Sequence, residues 1–193
     1  MNTNTINEQA PRPTLSEVPL GATIKIGGRE YIVLDHNKDT TAVITKDLWK
    51  YMEFGDSGNY AESTVRNALN KEFLSEVSSA IGVESIIAHE VNLLAEDGTN
   101  EQRSCRDKVS LLTADFYRRY RKFLPAYGSW WWTATPVSKE DGYFRRVCCV
   151  SDDGTLLWGR CSYSHGVRPF LILSNSIPAS VVSYPSGVRS FLF

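Results

Sequence analysis

Residues 152–170, DDGTLLWGRCSYSHGVRPF, decide how the carboxyl-terminal half of this chain is interpreted. The segment Asp152-Asp153-Gly154 is typical of a turn, and Gly166-Val167-Arg168-Pro169 leads into the apolar run of residues 170–173. Between these flanks, residues 157–165 match neither helical nor strand periodicity and form no catalytic motif. This pattern predicts an irregular segment of mixed side chains that is held between two ordered flanks.

The composition is that of an ordinary globular protein. The 193 residues are 42% apolar and 22% charged, and the formal net charge is −1. A chain of this length buries about 70% of its unfolded surface, so it can form a self-sufficient core. We therefore expect a single domain over residues 16–193, preceded by a polar, proline-containing and flexible lead-in over residues 1–15.

Charge and hydropathy argue against several classes of partner. The one basic cluster, residues 118–122, is expected on the solvated face of an amphipathic helix over residues 114–122, so no nucleic-acid partner is predicted. Residues 1–14 lack the basic and apolar segments of a secretory signal, and no apolar run reaches the roughly 20 residues that span a bilayer. We expect synthesis in the cytoplasm without membrane insertion, with reduced cysteines; if the protein leaves the cell, we expect it to do so by lysis or on a larger particle.

The amino-terminal half carries both strand and helix signals. Residues 24–26, a Gly27-Gly28 turn and residues 30–34 predict a β-hairpin, and residues 41–44 predict a third strand. Ser63 is a candidate N-cap for a helix whose apolar residues recur at helical spacing.

From Trp130 onward, strand patterns alternate with turns. Residues 145–150 predict one strand, and residues 167–173 predict another that closes the set. Strands and helices followed by a β-rich half indicate an α+β fold, with short helices packed on small antiparallel sheets.

Signatures of catalysis and metal binding are weak. The segment Gly55-Asp56-Ser57-Gly58 is similar to the nucleophile loop of trypsin-like proteases, but only His36 precedes it as a base and no double-barrel pattern surrounds it. Cys148 and Cys149 are adjacent, so on a strand they would face opposite sides and could not easily share a metal ion with Cys161. We expect no catalytic residue, no metal site and no cofactor.

Several segments, taken in order, resemble an uncharacterised domain of bacteria and bacteriophages. Its Trp-Trp-x-x-[Ser/Thr]-Pro, Val-x-x-Asp-Gly and Gly-Val-Arg-Pro signatures correspond here to residues 131–136, 150–154 and 166–169, and the resemblance covers about residues 20–174. That family is similar to the C-type lectin fold in the version shared with formylglycine-generating enzymes. It includes the variable target proteins of diversity-generating retroelements, in which adenine-directed rewriting changes Asn codons.

The resemblance implies a fixed frame around a diversified ligand-binding surface over about residues 143–165. The expected frame consists of Trp131, Trp132, Asp153, Gly154, Gly166, Arg168 and Pro169. The expected ligand-binding residues are Tyr143, Arg145, Cys149, Ser151, Leu157, Trp158, Gly159, Arg160, Ser162, Tyr163 and His165.

Physical considerations support this division of roles. Large tryptophans can bury much apolar area, and the guanidinium of Arg168 suits a multidentate hydrogen-bond network. Aromatic, arginine and small polar side chains are the residue types that adaptable binding surfaces use. Simple packing of Leu157, Trp158 and Tyr163 within an irregular loop is the alternative.

The resemblance implies a non-enzymatic ligand- or receptor-binding display protein, encoded by a phage or prophage, whose partner is a bacterial surface protein or glycan. A phage tail or assembly partner and a homo-oligomer are compatible with this interpretation. One alternative is a structural or assembly protein that uses the same surface as a subunit interface. The other is an enzyme of the formylglycine-generating type, which would need a reactive cysteine pair among Cys148, Cys149 and Cys161.

Overall fold

The computed structural model describes residues 13–100, 102–138 and 145–185, and these residues form a β-rich α+β fold with three mostly antiparallel sheets. The strands are β1 (Thr23–Ile26), β2 (Arg29–His36), β3 (Thr40–Thr45), β4 (Lys50–Glu53), β5 (Ile86–Ile87), β6 (His89–Asn92), β7 (Ser104–Asp107), β8 (Val109–Ser110), β9 (Trp131–Pro136), β10 (Arg146–Val150), β11 (Leu156–Arg160), β12 (Ser164–Val167), β13 (Phe170–Ser174) and β14 (Val181–Ser183). The helices are α1 (Thr64–Ala68), α2 (Leu74–Ile81) and α3 (Ala114–Tyr120). The α+β expectation is confirmed.

The largest sheet brings together strands from both ends of the chain. Its order is β14-β1-β2-β3-β13-β5, and β8 also pairs with β13. β13 comes late in the sequence but inserts between β3 and β5, and all of its pairings are antiparallel. β6 and β7 form a separate two-stranded sheet.

The second large sheet carries most of the predicted frame and binding surface. Its order is β11-β10-β9-β12-β4, so β11 and β4 are its edge strands. β9 and β12 are parallel where Trp131 lies opposite Gly166, and the other pairings are antiparallel.

The main apolar core lies between the two large sheets and the first helical segment, in which α1 continues through a π-helical turn (Leu69–Phe73) into α2. Its fully buried members include Ile24, Val33, Val43, Val65, Leu69, Phe73, Trp132, Val147 and Cys149. Burial of each large side chain contributes about 1.5–3 kcal/mol relative to exposure, so this shared core holds the two sheets together.

Local predictions in the amino-terminal half are confirmed. β1 and β2 form the expected hairpin, and Gly27 and Gly28 have positive φ angles of 55° and 86° in its turn. The Ser63 hydroxyl oxygen accepts a hydrogen bond from the Arg66 amide at 3.0 Å and caps α1. The predicted helix over residues 114–122 corresponds to α3 and a following 3₁₀ turn, and its basic residues are exposed.

Two predictions for the carboxyl-terminal half are wrong. Residues 157–165 are not an irregular segment, because β11 and the beginning of β12 pair within the second sheet. Residues 167–173 are not one strand either. The chain leaves β12 at Val167, passes through Arg168-Pro169 and enters β13 in the other large sheet. A side-chain pattern could not show this change of sheet, because it depends on which strands lie alongside.

The ends of the described chain lie next to each other. The Ala179 amide donates a hydrogen bond to the Pro13 carbonyl oxygen at 2.8 Å, and Leu15, within the expected lead-in, is buried. Residues 1–12 and 186–193 lie outside the described residues. Among the described residues, no helix has both the length and the apolar character required to cross a membrane.

Candidate functional site

The two consecutive tryptophans of β9 are buried on opposite faces of the second large sheet, in different apolar clusters. Trp131 and Trp132 are almost completely inaccessible to solvent. The Trp132 Nε1 atom donates a hydrogen bond to the Met52 carbonyl oxygen at 3.0 Å, and its ring meets Phe54 edge-on at a centroid distance of 5.4 Å. These contacts join β9 to β4 and to the loop that follows it.

Arg168 is the buried link between the two large sheets. Its Nε and Nη2 atoms donate to the Thr45 carbonyl oxygen at 3.1 and 2.9 Å, and Nη2 also donates to the Lys46 carbonyl oxygen at 3.1 Å. Its guanidinium carbon lies 5.1 Å from the centroid of the Trp131 ring, and burial lowers the pKa of Arg168 to about 10. The Pro169 carbonyl oxygen accepts from the Thr45 amide at 2.9 Å. The multidentate network expected for Arg168 is present.

The turn at residues 151–155 is held by its own side chains. The Asp153 carboxylate accepts hydrogen bonds from the Ser151 hydroxyl at 2.5 Å and the Thr155 amide at 2.9 Å, and these bonds lower the pKa of Asp153 to about 2. Gly154 has a φ of 83°, and its carbonyl oxygen accepts from the Tyr117 hydroxyl at 2.7 Å.

Gly166 of β12 is closely packed against Leu48. A β-carbon at Gly166 would lie 2.5 Å from the Leu48 side chain.

Six of the predicted ligand-binding residues are exposed. They lie on β11, in the turn that follows it, and directly before β10. These residues are Arg145, Leu157, Trp158, Arg160, Ser162 and Tyr163. The large apolar members, Leu157, Trp158 and Tyr163, are 44%, 47% and 49% exposed. Exposed apolar side chains indicate an interaction surface when they form a contiguous patch, whereas single ones are normal on a monomer surface.

Three other predicted binding residues are buried rather than exposed. Cys149 is completely buried against the core, and Ser151 is buried within its turn. Gly159 is also buried, because a β-carbon there would lie 2.7 Å from the His165 Nε2 atom and 3.2 Å from the Trp132 ring. Tyr143 lies outside the described residues. Cys149, Ser151 and Gly159 therefore belong to the buried scaffold rather than to the exposed surface.

His165 lies half-buried in a pocket of aromatic rings. Its ring centroid is 5.5 Å from Trp130, with nearly parallel planes, and 4.4 Å from Trp132, and Tyr163 approaches edge-on at 6.1 Å. The His165 Nε2 atom is buried and has no hydrogen-bond partner among the described residues. Burial lowers the pKa of His165, so the neutral ring is favoured.

The exposed residues of β11 divide between the two faces of its sheet. In register, Cys149 lies opposite Leu157 and Cys148 opposite Trp158, and successive residues of a strand point to opposite faces. Leu157 therefore lies on the face that carries Trp132. Trp158 lies on the other face, where the guanidinium of Arg146 stacks on its ring.

A cleft of about 540 Å³ opens where the ends of β4, β10 and β11 meet. Two backbone hydrogen bonds bring the three segments together: the Phe54 amide donates to the Cys161 carbonyl oxygen, and the Cys161 amide donates to the Arg145 carbonyl oxygen, each at 2.9 Å. The cleft is lined by Glu53, Gly55, Asp56, Arg145, Arg146, Arg160, Cys161 and Ser162.

Sequence reasoning placed Arg145, Arg160 and Ser162 at this site but missed Arg146, Glu53 and Asp56. Arg146 lies within the predicted strand over residues 145–150. It was missed because its position directly opposite Arg160 depends on the register of β10 with β11. The two carboxylates come from a distant part of the chain, so no local pattern could have linked them to the arginines.

The weak catalytic candidates occupy structural positions. The His36 ring nitrogens hydrogen bond to the Thr41 hydroxyl at 2.8 Å and to the Val18 carbonyl oxygen at 2.7 Å, rather than to Ser57. Cys148 and Cys149 belong to different apolar clusters on opposite faces of β10, as expected. Within the described ranges, no group of three or more His, Cys, Asp or Glu side chains is arranged to hold a metal ion.

A family model for a domain of unknown function, DUF6273, matches residues 113–175. The matched segment runs from α3 to the end of β13, so it contains Trp131 and Trp132, the Asp153-Gly154 turn, β11 and Arg168. No curated protein and no solved structure matches the chain. The matched segment therefore includes most of the candidate site but not its β4 side, and the family model carries no assigned activity.

Proposed function

We propose that this chain is a non-enzymatic display protein with a C-type lectin-like fold, in which β11 and the turn at residues 161–163 bind a protein or glycan on a bacterial surface. The observation that carries the proposal is the contrast between the buried Trp131, Trp132 and Arg168 and the exposed aromatic and arginine side chains of β11 and the turn after it. Such a contrast is what a fixed scaffold with interchangeable recognition residues requires.

The order of the motifs supports the C-type lectin-like assignment. The Trp131-Trp132 segment forms β9, the Asp153-Gly154 turn joins β10 to β11, and the Gly166–Pro169 segment ends β12. All of them are built around one sheet, and each has a structural partner that does not involve the exposed residues. Diversification of the exposed residues of β11 by a retroelement, in a phage or prophage gene, would thus leave the frame intact.

Binding to intact bacterial cells tests the display function. Fluorescently labelled protein should bind a subset of strains in a bacterial panel, and Trp158→Ala or Tyr163→Ala should weaken that binding at least about tenfold, since buried aromatic anchors dominate interface energies. Tyr184→Ala is a matched control, because Tyr184 is 41% exposed but lies beyond β14 in the other large sheet. Equal binding by the three variants would contradict the proposal.

The gene neighbourhood tests diversification separately. A reverse transcriptase gene should lie nearby, together with a near-identical repeat of the segment that encodes residues 143–170, with Asn codons at the exposed positions. A locus without either element would contradict retroelement diversification and leave only a fixed binding surface.

A subunit interface is the second candidate, and it is favoured by one observation. β11 is an edge strand that exposes Leu157 and Trp158, and exposed edge strands readily pair with another chain. Light scattering after size-exclusion chromatography distinguishes the two functions. A defined oligomer that dissociates on Trp158→Ala would favour assembly over display.

A further inference from the structure

We propose that a cavity beside the β1–β2 hairpin binds a neutral saccharide, whose hydroxyl groups hydrogen bond to the Tyr31 hydroxyl and to charged side chains at the rim. The cavity has a volume of about 480 Å³ and lies between the hairpin turn, the first residues of β2, Asp47 and helical residues 73–77. This volume falls within the range of roughly 300–1,000 Å³ typical of small-molecule sites. None of the lining residues belongs to β11 or to the turn at residues 161–163, so the cavity is separate from the proposed display surface.

The Tyr31 hydroxyl group is a buried polar group without a partner. Tyr31 lines the cavity although the residue is only 2% exposed. No described residue forms a hydrogen bond with its hydroxyl. Burial raises the pKa of Tyr31, with smaller and opposing effects from the charges of Arg29 and Glu76, so the hydroxyl keeps its proton and can both donate and accept. A buried hydroxyl without a partner costs free energy, and a ligand hydroxyl would supply the bond.

The charged side chains around the cavity are paired, which disfavours a charged ligand. Arg29 Nη2 lies 3.4 Å from Glu76 Oε2, and Lys46 Nζ lies 2.6 Å from Glu30 Oε2. An anion or a cation would compete with these ion pairs. A neutral hydroxyl group can instead accept from a second N–H group of Arg29 or donate to the other oxygen of Glu30 without separating either pair.

Asp47 adds a hydrogen-bond acceptor to the rim. Its Oδ1 atom accepts one long hydrogen bond, from the Tyr127 hydroxyl at 3.4 Å, and its charge acts on the buried guanidinium of Arg168. Because a cation of the protein already lies near this carboxylate, Asp47 does not require a cationic ligand. Its two oxygens can accept hydrogen bonds from adjacent hydroxyl groups of a sugar ring.

One wall of the cavity is apolar. Phe73 and Val77 line it from the helical segment, and the guanidinium carbon of Arg29 lies 5.4 Å from the centroid of the Phe73 ring. A pyranose ring carries carbon-bound hydrogens on its faces and hydroxyl groups around its edge, so it can contact an apolar wall and a polar rim together. At the hairpin turn, a β-carbon on Gly28 would meet no atom within 4 Å, so this side of the cavity is open.

An NMR titration tests for the saccharide. The amides of Gly27 and Gly28, which line the cavity, are the reporters, and the Gly98 amide outside it is the internal control. Methyl glucoside, methyl galactoside and N-acetylglucosamine are the neutral probes, and methyl glucuronide and protonated glucosamine are the charged ones. We expect saturable shifts of both reporters with at least one neutral sugar, at a dissociation constant of roughly 1 mM. Both charged sugars should bind at least about tenfold more weakly.

Two tyrosine variants separate a binding role from a structural one. Tyr31→Phe removes a hydroxyl that has no partner among the described residues, so it should weaken saccharide binding about two- to tenfold, the usual worth of one hydrogen bond, without lowering the melting temperature. Tyr117→Phe is the matched control, because the Tyr117 hydroxyl donates to the Gly154 carbonyl oxygen at 2.7 Å. It should lower the melting temperature and leave saccharide binding unchanged.

Three results would overturn the saccharide assignment: no reporter shift with any neutral sugar, tighter binding of either charged sugar, or unchanged affinity in Tyr31→Phe. A loss of both binding and stability in Tyr31→Phe would assign the hydroxyl a structural role and also contradict it. Saccharide binding that persists in Trp158→Ala would support a site separate from β11, whatever the outcome of the cell-binding experiment.

Discussion

The guanidinium of Arg146 lies over the indole ring of Trp158, with its carbon atom 3.7 Å from the ring centroid. The two side chains belong to neighbouring strands, β10 and β11, and their contact crosses the strand pair diagonally because Arg146 is in register with Arg160. An exposed aromatic ring at the proposed binding surface is therefore in contact with a cation from the preceding strand.

A double-mutant cycle measures this contact. We expect Arg146→Ala and Trp158→Ala to be coupled by about 0.5–1 kcal/mol, the usual strength of a cation–π contact at an exposed site. Unfolding by urea of the two single variants and the double variant gives the coupling energy. Strictly additive effects would show that the stacking contributes nothing.

Gly159→Ala is expected to destabilise the fold. The new β-carbon would lie 2.7 Å from the His165 Nε2 atom and 3.2 Å from the Trp132 ring, and overpacking of this kind costs about 1–3 kcal/mol. Urea unfolding measures the loss, with Ser162→Ala as the control at an exposed position. The second change His165→Ala removes the closest contact, so it should recover part of the loss. A tolerated Gly159→Ala would mean that His165 can move aside.

Arg168→Met should be among the most destabilising single changes in the second half of the chain. It removes the donor to the Thr45 carbonyl oxygen, whose bond is buried, and to that of Lys46, and a buried unsatisfied group costs roughly 1–3 kcal/mol. Thermal unfolding followed by circular dichroism measures the effect. Arg160→Met, an exposed arginine eight residues earlier in the same half, should change the melting temperature little by comparison. Equal effects of the two variants would contradict the role given to Arg168.

Stability should fall as the solution becomes acidic through the ordinary histidine range. Burial lowers the pKa of His165 and of His89 from about 6.5 in the folded protein. The unfolded chain therefore takes up protons first, and stability that is fully present above about pH 6.5 is lost as the pH falls toward the lower folded-state pKa values. Urea unfolding between pH 7.5 and 5 measures the slope. His165→Gln should reduce that slope, and an unchanged slope would exclude His165 as a contributor.

The buried cysteines should be unreactive in the folded protein. Burial raises the pKa of Cys149 to about 12 and that of Cys161 to about 11, and it raises that of Cys148 as well. Because the thiolate is the reactive form, iodoacetamide at pH 8 should modify these thiols only after unfolding. Mass spectrometry of native and denatured samples reads this out. Rapid native labelling of one of them would revive the formylglycine-generating alternative.

Much of the fold was predictable because its signals are local. The hairpin of β1 and β2, the Ser63 cap and the amphipathic helix α3 each depend on residues a few positions apart. The buried tryptophans and the Asp153 turn follow from side-chain chemistry in the same way. The strands β11 and β12 were missed because both carry exposed residues on a sheet edge or beside a glycine, which disrupts simple alternation.

Local chemistry thus determined where several regular elements lie and where the chain turns, and the resemblance supplied the set of residues proposed for recognition. Only the tertiary structure decided how that set is divided. Leu157 and Trp158 are sequence neighbours but face opposite sides of the sheet, whereas Arg160 and Glu53 are more than one hundred residues apart and line the same cleft. The reason is physical: strand register and the Arg168 crossing between the two sheets arise from long-range hydrogen bonds and shared core packing, which no short segment encodes.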